Sequence, residues 1–581
     1  MKSWQRAAIA AACIGVIAAG VIFLAGRFAS PGELPRRKIP VVASATRYFG
    51  DTLQIDLGKT WFAEATVDGS GLPPATPLTI RMGERLLESG RLSSDAYGSV
   101  RFHEVTIESS TEPQQVPLPE ADARGMPDGV SVMPFRYIEI TPWQAGTAPA
   151  SVSVTAYISD HYADIGSIRF SGDPDVAEPL NHLFELGRHS MAATSFMGIF
   201  IDGDRERLAY QADALINQRG WVALTGDTDV ARDTLAELFR EPTWPTEWMS
   251  QTVLLAWEMY EADGDLDYLR SIYDRLPVFA LREFVDDTGL ISTLDEAKAE
   301  RFVSATGADY LEDIVDWPAV ERDGYDMVAH NTVVNAFAFA AMQRMQNMAT
   351  ALGKTAEADQ WQASAEALRQ AMQSQLIDPD LGTYTDGLES THVSAHALFV
   401  PLALGLVPDE NQETTLEALQ ARIAAFNGGF PPSVYGAQFM LDAMFDAGAS
   451  KAALDLMLNQ TDRGWLHMLN DYDATITHEA WDIRYKENMD WNHAWGSAFF
   501  NVMFRKILGA EVLVPGWAQW TINPAPDLDL DINATLATPQ GPVDVVVAFK
   551  DRLVTVTGGT PLLGFTPGAD NGWTYRLITG P

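Results

Sequence analysis

Short runs of alternating apolar and polar residues fill the chain from about Val41 to Ile168. FRYIEIT (Phe135–Thr141) and VSVTAYI (Val152–Ile158) each turn every second side chain toward one face, as half-buried strands do. The turn-forming clusters Asp68–Pro77 and Gly125–Gly129 separate such runs, and no long helical period interrupts them. This pattern predicts a β-sandwich over residues 41–172. From about Asp173 the period lengthens. TVVNAFAFAAMQRMQNMATAL (Thr332–Leu352) and SVYGAQFMLDAMFDAG (Ser433–Gly448) carry apolar residues at helical spacing. TGDTDVAR (Thr225–Arg232) and DGDLDYLR (Asp263–Arg270) share a break in which Gly ends one helix and a short polar residue opens the next. Repeated breaks of this kind predict stacked α-hairpins over 173–508, in a closed ring or a solenoid. After Gly509 alternation returns in AEVLVPGW, DLDLDIN and DVVVAF, predicting a small β domain over 509–581. There Asp527, Asp529 and Asp531 alternate with Leu528, Leu530 and Ile532, which reads as the wet face of a strand rather than a calcium loop.

The N-terminus breaks this picture. Lys2 and Arg6 precede an uncharged run from Ala7 to Ala25, the layout of a signal peptide or an N-terminal membrane anchor over residues 1–30. Residues 31–40, rich in proline and basic side chains, read as a linker. The expectation is an exported protein, periplasmic or anchored facing the periplasm. A single cysteine, Cys13, leaves no intrachain disulfide, so the fold depends on core size. The net charge of −38 argues against a nucleic-acid partner, which would demand a basic face.

Two stretches concentrate reactive side chains. FIDGDRERLAYQAD (Phe200–Asp213) holds Asp202, Glu206 and Asp213, with Arg205 and Arg207 flanking Glu206 and Tyr210 four residues beyond it. TITHEAWDIRYKENMDWNHAWGSA (Thr475–Ala498) crowds His478, Glu479, Asn492, His493 and Trp495 ahead of an apolar helix. Trp244, Glu247, Trp248, Asp316 and Trp317 add aromatic rings beside carboxylates in loop-like surroundings. Glycoside hydrolysis calls for such parts: a proton donor, a second carboxylate, groups to grip hydroxyls and rings for the sugar's apolar face. No HExxH or cysteine-rich metal motif is present, and this chemistry needs neither a metal nor an organic cofactor.

The order of these motifs resembles the bacterial α-L-rhamnosidases of glycoside hydrolase family 78. FRYIEIT, IDGDRERLAYQAD, PTEW, DIVDWP with NTVVNAF, SAHALFVPLALGLVP, SVYGAQ, THEAWD, DWNHAWGSA and the terminal PGW carry the likeness over most of the chain. The resemblance implies an N-terminal β-sandwich, a central (α/α)6 toroid and a small C-terminal β-sandwich domain. It implies that Glu206 is the general acid and Glu479 the general base. Asp202, Arg205, Tyr210, Asp213, Trp317, His493 and Trp495 are then the substrate-binding residues, with Tyr210 standing where the family usually has Trp. The expected function is an inverting exo-glycosidase releasing terminal α-L-rhamnose from a rhamnose-containing carbohydrate. The alternatives are another specificity on the same toroid, uronyl or arabinosyl, and a membrane-tethered glycan-binding protein without turnover. Retention of both Glu206 and Glu479 speaks against the last.

Overall fold

The computed structural model describes residues 34, 36–94, 99–119, 126, 130–143, 152–568 and 572–579. The Ala7–Ala25 run and most of the Gly125–Gly129 turn lie outside them. Among the described residues no helix is long and apolar enough to cross a membrane.

The N-terminal region is rich in sheet. Its strands are β1 (Arg36–Val41), β2 (Ala45–Phe49), β3 (Thr52–Val67), β4 (Pro77–Gly83), β5 (Phe102–Glu108), β6 (Gln114–Gln115), β7 (Met133–Thr141) and β8 (Val152–Ser159). They pair in the order β1-β8-β3-β7-β4-β5, with β2 and β6 also on β3. The 16-residue β3 serves two neighbourhoods. A register shift between Asp56 and Trp61 bends it, so its first half pairs with β2 and β7 and its second half with β7 and β8. Its alternating inward residues Leu53, Ile55, Ala63, Ala65 and Val67 join Ile80, Phe135, Ile138, Ile140 and Trp143 in a core separate from that of the helices.

The predicted boundaries shift at both ends of this region. Residues 36–40 of the expected linker are strand: Arg36–Val41 pairs antiparallel with Ser159–Val154, with Arg37 and Lys38 facing out along a sheet edge and Arg36 donating inward to the Met197 carbonyl. Ser167–Ser171 (β9), expected in the first domain, instead pairs antiparallel with Asp531–Thr535.

Fourteen described α-helices follow: α1 (Pro174–Thr194), α2 (Gln211–Thr225), α3 (Asp229–Arg240), α4 (Thr246–Asp263), α5 (Leu266–Ile272), α6 (Glu296–Thr306), α7 (Thr332–Ala351), α8 (Thr355–Gln375), α9 (Ala395–Ala403), α10 (Gln412–Ala425), α11 (Gly436–Asp446), α12 (Ser450–Met457), α13 (Trp465–Tyr472) and α14 (Ala498–Val502). Their ends follow local chemistry. Asp173, Asn331 and Ser394 cap α1, α7 and α9 by accepting from the backbone N–H of Asp175, Val334 and Ala397. Gly226 and Gly264 close α2 and α4 at φ of 69° and 70°, a conformation in which a Cβ would be strained. Helices α2, α4, α7, α9 and α11 are buried along much of their length; α3, α5, α8, α10 and α12 pack on their outer sides. Contacts run from α2 to α4, then α7, α9, α11 and α14, and from α14 back to α2.

The C-terminal strands are Ala510–Val514 with Gln519–Ile522, a separate hairpin, and Asp531–Leu536, Val543–Ala548, Leu553–Gly558 and Thr574–Thr579. The last four form a five-stranded sheet with β9. Asp527 and Asp529 do not lie on a strand face as expected. Asp529 has a φ of 44°, and the strand begins only at Asp531.

Candidate active site

Two loops leading into inner helices build the site. Residues 198–210 lead into α2. This loop is held by its own hydrogen bonds: the Asp202 N–H donates to the Leu208 carbonyl and the Leu208 N–H to Asp202 Oδ1, both at 2.9 Å. Asp204 lies at its centre, buried, ion-paired with Arg207 at 2.6 Å and with Arg101 from the N-terminal region. Arg207, at a φ of 54°, also donates to the Val132 carbonyl and lies over the rings of Phe62 and Phe196. Glu206 and Tyr210 do not share a helix, since α2 begins at Gln211. They meet because the loop turns, and the Tyr210 hydroxyl donates to Glu206 Oε2 at 2.7 Å.

The second loop connects α13 to the short helical turn Ala494–Ser497 ahead of α14. Within it Glu479 and Asp490 pair through their backbones, Glu479 N–H to Asp490 O at 3.0 Å. The Asp490 N–H donates to Glu479 Oε2 at 2.9 Å. The indole of Trp495 donates to the Glu479 carbonyl at 3.1 Å. The loops interlock: Asp490 Oδ2 accepts the Arg205 N–H at 3.0 Å, and Asn492 Oδ1 accepts the Asp204 N–H at 2.9 Å. Gly203 makes this fit possible, because a Cβ there would lie 2.6 Å from Asp490 Oδ2.

One guanidinium joins the two predicted catalytic carboxylates. Arg205 Nη1 donates to Glu206 Oε1 at 2.5 Å and Nη2 to Glu479 Oε1 at 3.1 Å. The terminal nitrogens of that planar fork are about 2.3 Å apart, so the bridged oxygens are no more than about 8 Å apart. The carboxylates differ in setting. The Glu206 side chain is 30% exposed, whereas that of Glu479 is 3% exposed, with Lys486 Nζ 3.3 Å from its Oε1. Lys486 is itself buried and lies 5.5 Å from the centre of the Trp317 ring.

Around this pair the site is largely buried and acidic. Asp213, in the first turn of α2, meets His493 Nε2 at 2.6 Å, both buried. Burial pushes the Asp213 carboxyl well above its usual range and the His493 imidazole down to about 3. Burial, then the nearby charges of Asp213 and Glu206, push Asp202 well up, and burial beside Glu479 lifts Asp490 to about 7. Burial and the bond to Glu206 raise the Tyr210 hydroxyl. Trp495 stacks on His493 at 4.8 Å and on Tyr435 at 5.7 Å, and Trp248 meets Tyr210, Tyr435 and Trp495 edge-on. Trp317 meets Trp244 edge-on, and Trp244 stacks on the exposed Tyr310 at 5.4 Å.

All nine predicted site residues thus converge at one end of the helical region. Lys486, Asp490 and Asp204 had gone unassigned, although each lies inside one of the two stretches singled out in the sequence. Glu479, Asp490 and His493 also offer ligand atoms within 4.8 Å of one another. Arg205 and Lys486 already occupy Glu479 Oε1.

The sequence model of the bacterial alpha-L-rhamnosidase 6 hairpin glycosidase domain matches residues 176–507, more than half of the 581. This chain belongs to that family. An alpha-L-rhamnosidase of Alteromonas sp. (strain LOR) is 22% identical over 562 residues, covering 89% of this chain and 56% of the relative. The GH78 family rhamnosidase of Bacillus sp. GL1 superposes with a TM-score of 0.68 at 19% identity, over 92% of this chain and 55% of that one. The Streptomyces avermitilis alpha-L-rhamnosidase complexed with L-rhamnose gives 0.69 at 18% identity, over 89% and 48%. The chain therefore spans about half the length of these family relatives.

Proposed function

We propose that this chain is an inverting exo-glycosidase that removes terminal α-L-rhamnose from a rhamnose-containing carbohydrate. The observation that carries the reading is the Arg205 bridge, which sets two carboxylates from distant loops across one small space in unequal environments. Glu206, the more exposed, is placed to protonate the leaving oxygen. Glu479 has both oxygens fixed, one by the Asp490 N–H and the other by Arg205 and Lys486. A carboxylate so held suits a base that takes a proton from water on the opposite face of the ring. Asp213, His493 and Asp202 offer hydrogen bonds to sugar hydroxyls, and Tyr210 and Trp317 supply apolar faces, whereas Trp495 is buried against His493 and Tyr435 and backs the site instead of touching the sugar. Membership of the rhamnosidase family supports the choice of sugar. An inverting enzyme needs its carboxyls about 6.5–9.5 Å apart and a retaining one about 5–5.5 Å; the limit near 8 Å admits both, so the choice of inversion rests on family membership and on the anomer test below.

The circuit of contacts from α2 round to α14 and back, each inner helix backed by an outer one, supports an (α/α)6 toroid rather than a solenoid. The folding of β3 between two neighbourhoods supports a sandwich for the N-terminal strands. Lys2 and Arg6 ahead of the uncharged Ala7–Ala25 run support export or anchoring. Removing residues 2–30 is expected to release an active protein from the membrane fraction, and a full-length protein already soluble and cleaved would replace the anchor with a signal.

The anomer released tests the mechanism. Proton NMR at the start of hydrolysis should show β-L-rhamnose before mutarotation mixes the forms. Appearance of the α anomer first would make Glu479 a nucleophile and overturn the water-activating role.

A further inference from the structure

A cavity of about 840 Å³ opens where the C-terminal halves of α2, α4, α7 and α11 meet Phe504–Lys506 and the loops of the C-terminal strands. The candidate active site lies at the other ends of these helices. Asp213 is in the first turn of α2 and Val222, nine residues on, lines the cavity, about 13 Å along the axis at 1.5 Å per residue.

Most charges lining the cavity are matched. Arg219 spans both oxygens of Glu258 at 2.7 and 2.9 Å and reaches Asp442 at 3.2 Å. Arg505 adds a contact to Asp442 at 3.1 Å, and Lys506 holds Asp446 at 2.5 Å. Two polar groups are held less tightly. Among the described residues the half-buried Arg344 guanidinium makes no ion pair or hydrogen bond. Nor does the carboxyl of Glu261 form an ion pair there; burial pushes it up to about 7, against the pull of the Arg344 charge and the Trp257 side chain. Trp517, at a φ of 57°, adds a half-buried indole to the wall.

These features select a ligand class. One guanidinium without a direct hydrogen bond and one partly protonated carboxyl offer donors and acceptors without a dominant sign. A polyanion would meet the acidic rim of Asp446, Glu511 and Asp527, and a polycation would meet Arg344. A neutral polyol satisfies both kinds of group and lays its C–H face on an aromatic ring. The volume lies in the range of small-molecule pockets. We propose that this cavity is a second carbohydrate-binding site, remote from the catalytic one, that takes a neutral mono- or disaccharide through Arg344, Glu261 and Trp517. The choice of ligand rests on local charge balance and not on the catalytic assignment.

Calorimetric titration of the full chain with L-rhamnose and a panel of neutral disaccharides tests the proposal. At least one sugar should bind at two independent sites. Arg344→Met and Trp517→Phe, each checked for an unchanged melting temperature, should weaken one site at least tenfold while leaving turnover of a nitrophenyl rhamnoside unaltered. Glu206→Gln should leave that site intact. Binding at the Arg344 site without rhamnoside hydrolysis would sustain this proposal and sink the catalytic reading. A single stoichiometric site for every sugar, unmoved by Arg344→Met and Trp517→Phe, would overturn it.

Discussion

Glu479 has a carboxylate on one side and cations on the other, and the balance around it sets what single substitutions should do. Removing Lys486 leaves Arg205 alone to fix Oε1. Lys486→Met is expected to lower kcat tenfold or more with a smaller change in KM, and Lys486→Arg to restore most of the loss, read by steady-state kinetics on a rhamnoside. Glu206 differs because a third of its side chain is exposed. Glu206→Gln should leave the melting temperature nearly unchanged while cutting turnover of substrates with poor leaving groups ~10²–10⁴-fold, the usual size of a proton-transfer contribution. The carboxylates of the first stretch and Glu479 were legible because sugar chemistry calls for those residue types. Asp490 and Lys486 were not. Their roles come from a backbone pairing of residues 479 and 490 and from an ammonium brought over Trp317, and no sequence spacing encodes either.

At the scale of elements, two irregular loops are made rigid by interlocking, and the N-terminal sheet region grips both. Arg101 holds Asp204 in the first loop. Glu84 accepts from Asn492 at 3.2 Å, the Ser99 hydroxyl donates to the Asn488 carbonyl at 2.9 Å, and Val100 packs with Ala480, Met489 and Trp491. The tightest point is Gly203, at a φ of 128° against Asp490. Gly203→Ala should therefore part the loops and reduce kcat/KM at least tenfold with only a small fall in melting temperature; equal losses in distant helices by hydrogen exchange would show general damage instead. The helices themselves were readable from period and caps. The edge strand β1 was not, because its outward Arg37 and Lys38 and its Pro40 mimic a linker when no neighbour is known. Nor was the stop at Asp531, since Leu528 and Leu530 are buried by a loop that alternates without being a strand.

The whole molecule combines a strongly acidic sequence with several buried carboxyls. Burial pushes Glu84 and Glu247 up to about 8 and Asp490 to about 7. In the unfolded chain such groups titrate at about 4. The folded state thus keeps protons that the unfolded state releases, and stability is lost as pH rises through 7 to 8. Buried His189, His478 and His493 are pushed down to about 3 and act in the opposite sense. Their contribution is present above about 6.5 and fades as pH falls toward 3. Melting temperature should therefore peak on the mildly acidic side and drop between pH 6.5 and 8.5; a flat profile there in thermal scans would mean that these carboxyls are ionised in the fold.

The pairing of Ser167–Ser171 with Asp531–Thr535 has a consequence for chain topology. The polypeptide enters and leaves the helical region through neighbouring strands, so more than 300 residues form a loop closed by a five-pair clasp. Arg169 and Asn533 face each other in that clasp, and both are exposed. A covalent lock there would deny the unfolded chain much of its freedom, a gain of ~5 kcal/mol on loop-entropy grounds for loops of a hundred residues or more. With Cys13 removed, Arg169→Cys together with Asn533→Cys should give a protein that melts higher oxidised than reduced. Identical melting of the two forms would show that the clasp has already opened when the helices give way.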